Sequence, residues 1–162
     1  MYKRQLLTTM FAHAGFFHLF VNILALYFIG SFLERLIGKK RFLGIYFASG
    51  IMASLFFVLF SLFTGQNIPA VGASGAIFGL AGVLTILTPK IPVFIMFIPI
   101  PLPLWLGMVI LLFVVWIFSA AFNIPIGNTA HLGGFLTGLA YGIYLRMKYK
   151  RKIRILDRFF SK

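Results

Sequence analysis

The chain is 162 residues long, 61% hydrophobic and only 10% charged, with fifteen lysines and arginines against two acidic residues for a formal net charge of +13. Soluble domains are about half apolar and a quarter charged, so this composition excludes a soluble globular protein and predicts an integral membrane protein. No cysteine is present, which excludes disulfides, thiolate metal sites and a cysteine nucleophile.

The first predicted span runs over about 16–37 and ends at Gly38, ahead of the basic run Lys39-Lys40-Arg41. The second covers about 42–63 and is broken by Thr64-Gly65-Gln66-Asn67-Ile68-Pro69. A third, about 74–87, is closed by Thr88-Pro89. It is short for a full crossing, so its N-terminus and Ser74 are expected to lie below the outer surface. Residues 89–103 hold Pro89, Pro92, Pro99, Pro101 and Pro103, which cannot form one regular helix and predict an apolar connection at the cytoplasmic interface. The fourth span, about 104–121, opens with Trp105, suited to the interface. After the short connection Phe122–Asn128, the fifth runs over about 129–147. The expected fold is all-α, a polytopic transmembrane helical bundle of about five spans forming one domain over 1–162, with a basic tail at about 146–162.

Charge follows the same topology. Arg35, Lys39, Lys40 and Arg41 fill one connection, Lys90 marks another, and Arg146, Lys148, Lys150, Arg151, Lys152, Arg154, Arg158 and Lys162 crowd the C-terminus. The connections at about 65–72 and 120–128 carry no charge. This alternation is the positive-inside pattern and predicts a multi-pass protein of the cell membrane with a cytoplasmic C-terminus. The basic tail is expected to contact anionic membrane lipids. Nucleic acid is not an expected partner, since no interleaved glycines or fold present the tail to it.

Two polar residues stand at the outer starts of apolar helices: Ser74 in Gly72-Ala73-Ser74-Gly75, and His131 in Ala130-His131-Leu132-Gly133-Gly134. They offer a nucleophile and a base at equal depth. Gly75 and Gly79 on one helix, and Ala130, Gly134, Gly138 and Gly142 on the other, form small-residue stripes that let two backbones approach closely. Each stripe alone also reads as simple packing.

His18 and Asn22, four residues apart on the first span, share a helix face, and both can donate hydrogen bonds. Donors converging on one point can hold an oxyanion; the pair also reads as a purely structural His–Asn contact. His13 is expected to bond loop backbone. Metal and cofactors are not expected: His13 and His18 are five apart, on different helix faces, with no carboxylate nearby. The two acids, Glu34 and Asp157, fall on the cytoplasmic side, which rules out a triad completed by Asp or Glu and any paired-carboxylate mechanism.

His18-Leu19-Phe20-Val21-Asn22, Gly72-Ala73-Ser74-Gly75 and Ala130-His131-Leu132-Gly133-Gly134 with Gly138, in this order and on these helices, resemble the rhomboid intramembrane serine proteases. The resemblance covers about residues 6–142. It implies a serine endopeptidase that cleaves transmembrane segments of membrane proteins, with Ser74 as nucleophile and His131 as general base. It further implies an oxyanion hole of His18, Asn22 and the Ser74 N–H, with Gly72 and Gly75 in support. Phe78 falls where the family often carries an aromatic residue stacked on the catalytic histidine. The active site would open to the outer side, with the fourth span and the 120–128 loop as gate and cap.

Rhomboids usually begin with a further helix and a long outer loop, whereas this sequence starts at Met1-Tyr2-Lys3-Arg4 just ahead of the His18 helix. A start site placed too late, or a fragment of a longer protein, is the expectation from that comparison. Two other readings of the sequence are a non-proteolytic rhomboid-like protein that binds membrane clients, and a small transporter whose intramembrane polar residues line a substrate path.

Overall fold

A computed structural model describes residues 5–65, 72–95, 98–122 and 126–159. The chain opens with a short helix, α1 (Gln5–Thr8), and a 3-10 turn, Thr9–Phe11. An uninterrupted apolar run then builds α2 (Phe16–Ala25), a π turn (Leu26–Gly30) and α3 (Ser31–Ile37) as one continuous rod. Gly38, at φ +83°, stops the rod and turns the chain into α4 (Lys39–Thr64). That helix ends at Gly65, whose φ of +69° is the left-handed conformation favoured just past a helix C-terminus. The remaining helices are α5 (Ser74–Leu87), α6 (Leu104–Phe122), α7 (Asn128–Lys148) and α8 (Lys150–Phe159).

The rod Phe16–Ile37, α4 and α6 are long and apolar enough to cross a membrane, with mean hydropathies of 1.9, 2.1 and 2.5. Much of their outward surface is exposed large apolar side chain, such as Phe16, Phe28, Phe63 and Phe113. This is the surface that lipid would cover. The architecture is a helical bundle of the all-α class, with helices near all five positions predicted, of which these three are long and apolar enough to span a membrane.

α5 is the central helix. At 14 residues it is about 21 Å long, yet it is buried almost from end to end. It packs most extensively against α7, then against α4, with the π turn and α6 at its flanks. Glycine makes the α5–α7 contact possible: a Cβ on Gly134 would run into the Gly75 carbonyl, and one on Gly138 into the Gly79 carbonyl. Below this contact Leu80, Val83 and Leu84 of α5 join Leu33, Ile45 and Leu145 in the core.

The proline-rich connection is more ordered than expected. Pro92–Ile95 (β1) and Ile98–Pro103 (β2) form an antiparallel hairpin, with Pro92 opposite Pro103 and Val93 opposite Leu102. Proline cannot continue a helix, but it is tolerated at the ends and edges of a strand pair. The Leu104 and Trp105 N–H groups donate to the Ile91 and Pro89 carbonyls at 2.8 and 3.2 Å, tying the hairpin to α6.

The basic tail is likewise helical over α8, where Ile153 is buried in the core and Arg154 and Ile155 are exposed. The uncharged connections predicted at 65–72 and 120–128 fall largely on 66–71 and 123–125, which lie outside the described residues, as do Lys3, Arg4 and Lys162.

Candidate active site

Ser74 is the first residue of α5, so its N–H has no partner within the helix. Two residues earlier Gly72 takes φ +112°, which side chains rarely adopt, and its N–H donates to the Thr9 carbonyl at 2.8 Å. A Cβ on Gly72 would stand 2.7 Å from His18 Cε1 and 2.9 Å from His18 Nε2. Backbone conformation and space therefore both require glycine here.

His131 lies in the first turn of α7, its N–H bonded to the Gly127 carbonyl at 3.0 Å. Its ring is buried, and Nε2 lies 2.8 Å from Ser74 Oγ. The glycine contact sets this distance, because α5 and α7 meet at Gly75 and Gly134, immediately below the two side chains. Phe78, one turn beyond Ser74, stacks on the imidazole at a centroid distance of 4.5 Å. His131 Nδ1 is buried and has no hydrogen-bond partner among the described residues. For Nε2 to accept the hydroxyl proton the neutral ring must carry its own hydrogen on Nδ1.

His18 and Asn22 reach the same place from α2. Asn22 is buried, and its Nδ2 donates to the His18 carbonyl at 2.8 Å, which leaves its second amide hydrogen available. His18 Nδ1 accepts from the Ala14 N–H at 3.4 Å. An accepting Nδ1 puts the proton of the neutral ring on Nε2, the atom that faces Gly72. Asn22 Nδ2 approaches the same point beside Gly72, at 3.8 Å. Two side-chain donors thus converge beside the backbone that leads into Ser74.

His13 bonds loop backbone, its Nδ1–H donating to the Phe11 carbonyl at 3.2 Å, and its ring meets His18 edge-on at a centroid distance of 5.3 Å. Thr9 and Ala14 carry no signal in the sequence, since both act through backbone atoms. Glu34 sits near the end of α3, sixteen residues or about 24 Å of helix from His18. Among the described residues no group of three His, Asp or Glu side chains is placed to hold a metal ion.

Set against known proteins, residues 2–148 match the family model of the rhomboid domain. The chain is 31% identical over 167 residues to rhomboid protein 1, mitochondrial, of Saccharomyces cerevisiae, covering 98% of this chain and 47% of that protein. Over 80 residues, 49% of this chain, it is 46% identical to rhomboid protease GluP of Bacillus subtilis, covering 15% of that protein. It is also 45% identical over 80 residues, 49% of this chain, to inactive RHOMBOID-like protein 8 of Arabidopsis thaliana, covering 22% of that protein. The chain therefore spans less than half the length of each of these relatives. With the family model extending over nearly the whole chain, this is a membrane protein that belongs to the rhomboid family.

Proposed function

We propose that the chain is an intramembrane serine endopeptidase that cleaves transmembrane segments of other membrane proteins. The observation that carries this reading is the 2.8 Å contact between Ser74 Oγ and His131 Nε2, made beside the converging donors of His18 and Asn22. As Ser74 Oγ attacks a peptide carbonyl carbon, His131 Nε2 takes the hydroxyl proton. The oxygen of the tetrahedral intermediate is held by His18 Nε2–H, the Asn22 amide and the Ser74 N–H. Each such donor is typically worth about 3–4 kcal/mol in the transition state. The C–N bond then breaks, the leaving amine takes the proton from His131, and an ester on Ser74 remains. Water, deprotonated by His131, hydrolyses the ester and restores the dyad.

Gly134 keeps α7 close enough for the dyad, Gly75 admits Ala53 of α4 against α5, Gly72 admits the His18 ring, and Phe78 orients the His131 ring. No cofactor or metal is required. The basic connections face the cytoplasm, so the C-terminus lies inside, the basic tail lies against anionic headgroups, and the dyad opens to the outer side. A substrate helix must present extended backbone to Ser74, which favours small residues around the cleaved bond.

One relative is named inactive, so a non-proteolytic client-binding role is the alternative; the paired Ser74 and His131 argue against it. The test is cleavage of a model single-span substrate by wild type, Ser74→Ala and His131→Ala, together with labelling by a fluorophosphonate. Loss of cleavage in both variants, and labelling that depends on Ser74 and His131, support the peptidase. Equal cleavage by all three would sink it.

A further inference from the structure

At the end of the bundle opposite Ser74, the last turns of α3, α5 and α7 and the first turns of α4 and α8 leave a cleft floored by Ile37, Leu87, Leu145 and Ile153, with Arg41 and Tyr149 lining it. Its volume is about 100 Å³, and it is open on one side. α5 runs from Ser74 to Leu87, so the cleft lies about 20 Å from the dyad.

Cations gather at its mouth. Arg41 donates to the Tyr149 hydroxyl at 2.7 Å and to the Ile37 carbonyl at 3.2 Å, with its guanidinium carbon 5.1 Å from the Tyr149 ring centre. Lys148 Nζ lies 5.9 Å from the same ring and donates to the Tyr144 hydroxyl at 2.9 Å. Two like charges drawn onto one tyrosine repel each other, and the acceptors they meet here are neutral oxygens. The chain has two acidic side chains for fifteen lysines and arginines, and among the described residues no carboxylate meets Arg41 or Lys148, which leaves the pair open to an anion from outside the chain. A molecule that places an anion over an apolar cleft at the edge of a membrane bundle is an anionic phospholipid.

We propose that this cleft binds one anionic phospholipid, its phosphate between Arg41 and Lys148 and the first methylenes of an acyl chain against Ile37, Leu145 and Ile153. The basic tail as a whole attracts anionic headgroups without a fixed address; this site has one. Tyr149 is the residue between α7 and α8, so the bound lipid ties the start of α4 to that junction. The inference does not depend on peptidase activity.

The test takes the full chain from bilayers of equal phosphatidylglycerol and phosphatidylcholine into detergent and counts retained lipid by native mass spectrometry. Wild type is expected to keep one phosphatidylglycerol in preference to phosphatidylcholine. Arg41→Gln should cut that preference about fivefold, Arg41→Lys should restore part of it, and Arg154→Gln, the same charge change on exposed α8, should change it by less than about twofold. Circular dichroism checks that each variant is folded. If Arg41→Gln does not fold, the wild-type preference and the Arg154→Gln comparison still decide.

Equal retention of the two lipids by wild type overturns the proposal, as does an equal loss in Arg41→Gln and Arg154→Gln. Displacement of the lipid by inorganic phosphate would show a site for the bare anion and overturn it too. A dimer mass that disappears in Arg41→Gln would give the cleft to a second copy of the chain, with the same consequence.

Discussion

His131 lies over Phe78 with ring centroids 4.5 Å apart and planes inclined by 23°. The stack fixes the plane of an imidazole whose Nδ1 has no hydrogen-bond partner among the described residues, so under the proposed mechanism it does the orienting that an acidic residue does in a triad. An aromatic pair of this kind is worth about 0.5–1.5 kcal/mol, or about two- to twelvefold in rate if it is made only in the reactive geometry. Phe78→Ala is expected to lower the rate of substrate cleavage by about tenfold, and Phe78→Tyr to stay within about threefold of wild type. Initial rates on a model single-span substrate, with fluorophosphonate labelling in parallel, check this. Full activity in Phe78→Ala would show that another contact orients His131.

Gly72 and Gly65 both have positive φ, at +112° and +69°, but their surroundings differ. A Cβ at Gly72 meets the His18 ring, whereas one at Gly65 meets none of the described residues within 4 Å. Both alanine variants carry a backbone penalty of about 1–2 kcal/mol. Only Gly72→Ala displaces a proposed oxyanion donor, and its cleavage rate is expected to fall a further hundredfold or so. Gly65→Ala should lose stability and keep its rate once folded. Equal rates in the two variants, measured on equal folded fractions, would remove His18 from the site.

Asn22 holds the His18 carbonyl with one amide hydrogen and has a second available for a substrate oxygen. Asn22→Ala is expected to reduce kcat about a hundredfold with little change in KM, because the oxyanion exists only beyond the ground state. His18→Ala should behave alike. The double variant should cost less than the product of the two, since both donors serve one oxygen. A rise in KM at constant kcat would instead make Asn22 a substrate-binding or structural residue.

The helices of the bundle were legible because apolar length and punctuation are written in side chains: the span expected at 74–87 coincides with α5, and those expected at 16–37, 42–63, 104–121 and 129–147 each lie within three residues of the helix observed. The close approach of Ser74 and His131 was legible for a similar reason, since Gly75 and Gly134 mark where two helices touch. Contacts made by backbone atoms were not. Thr9 receives the Gly72 N–H, and Ala14 donates to His18, whatever their side chains are. The pairing of 92–95 with 98–103 was hidden because its prolines exclude a helix without specifying a strand pair. In α8 the density of charge hid an apolar anchor, Ile153.

The glycine stripe of α7 has a measurable role apart from chemistry. Gly138 lies two turns beyond His131, and a Cβ there would strike the carbonyl of Gly79, which belongs to a buried helix that cannot yield as a flexible side chain does. Gly127, by contrast, has as its nearest neighbour the Ala130 Cβ at 3.6 Å, an ordinary contact. Forcing a methyl into a packed interface costs about 1–3 kcal/mol. For a chain of this size that corresponds to about 2–12 °C in the apparent midpoint. Gly138→Ala is therefore expected to lower the thermal midpoint in detergent, and Gly127→Ala to leave it unchanged. Because α7 also carries His131, the rate of Gly138→Ala should fall even at temperatures where it is fully folded, as the hydroxyl and imidazole are pushed apart. An unchanged midpoint with an unchanged rate would mean that α5 and α7 can separate freely, and that some other contact holds Ser74 to His131.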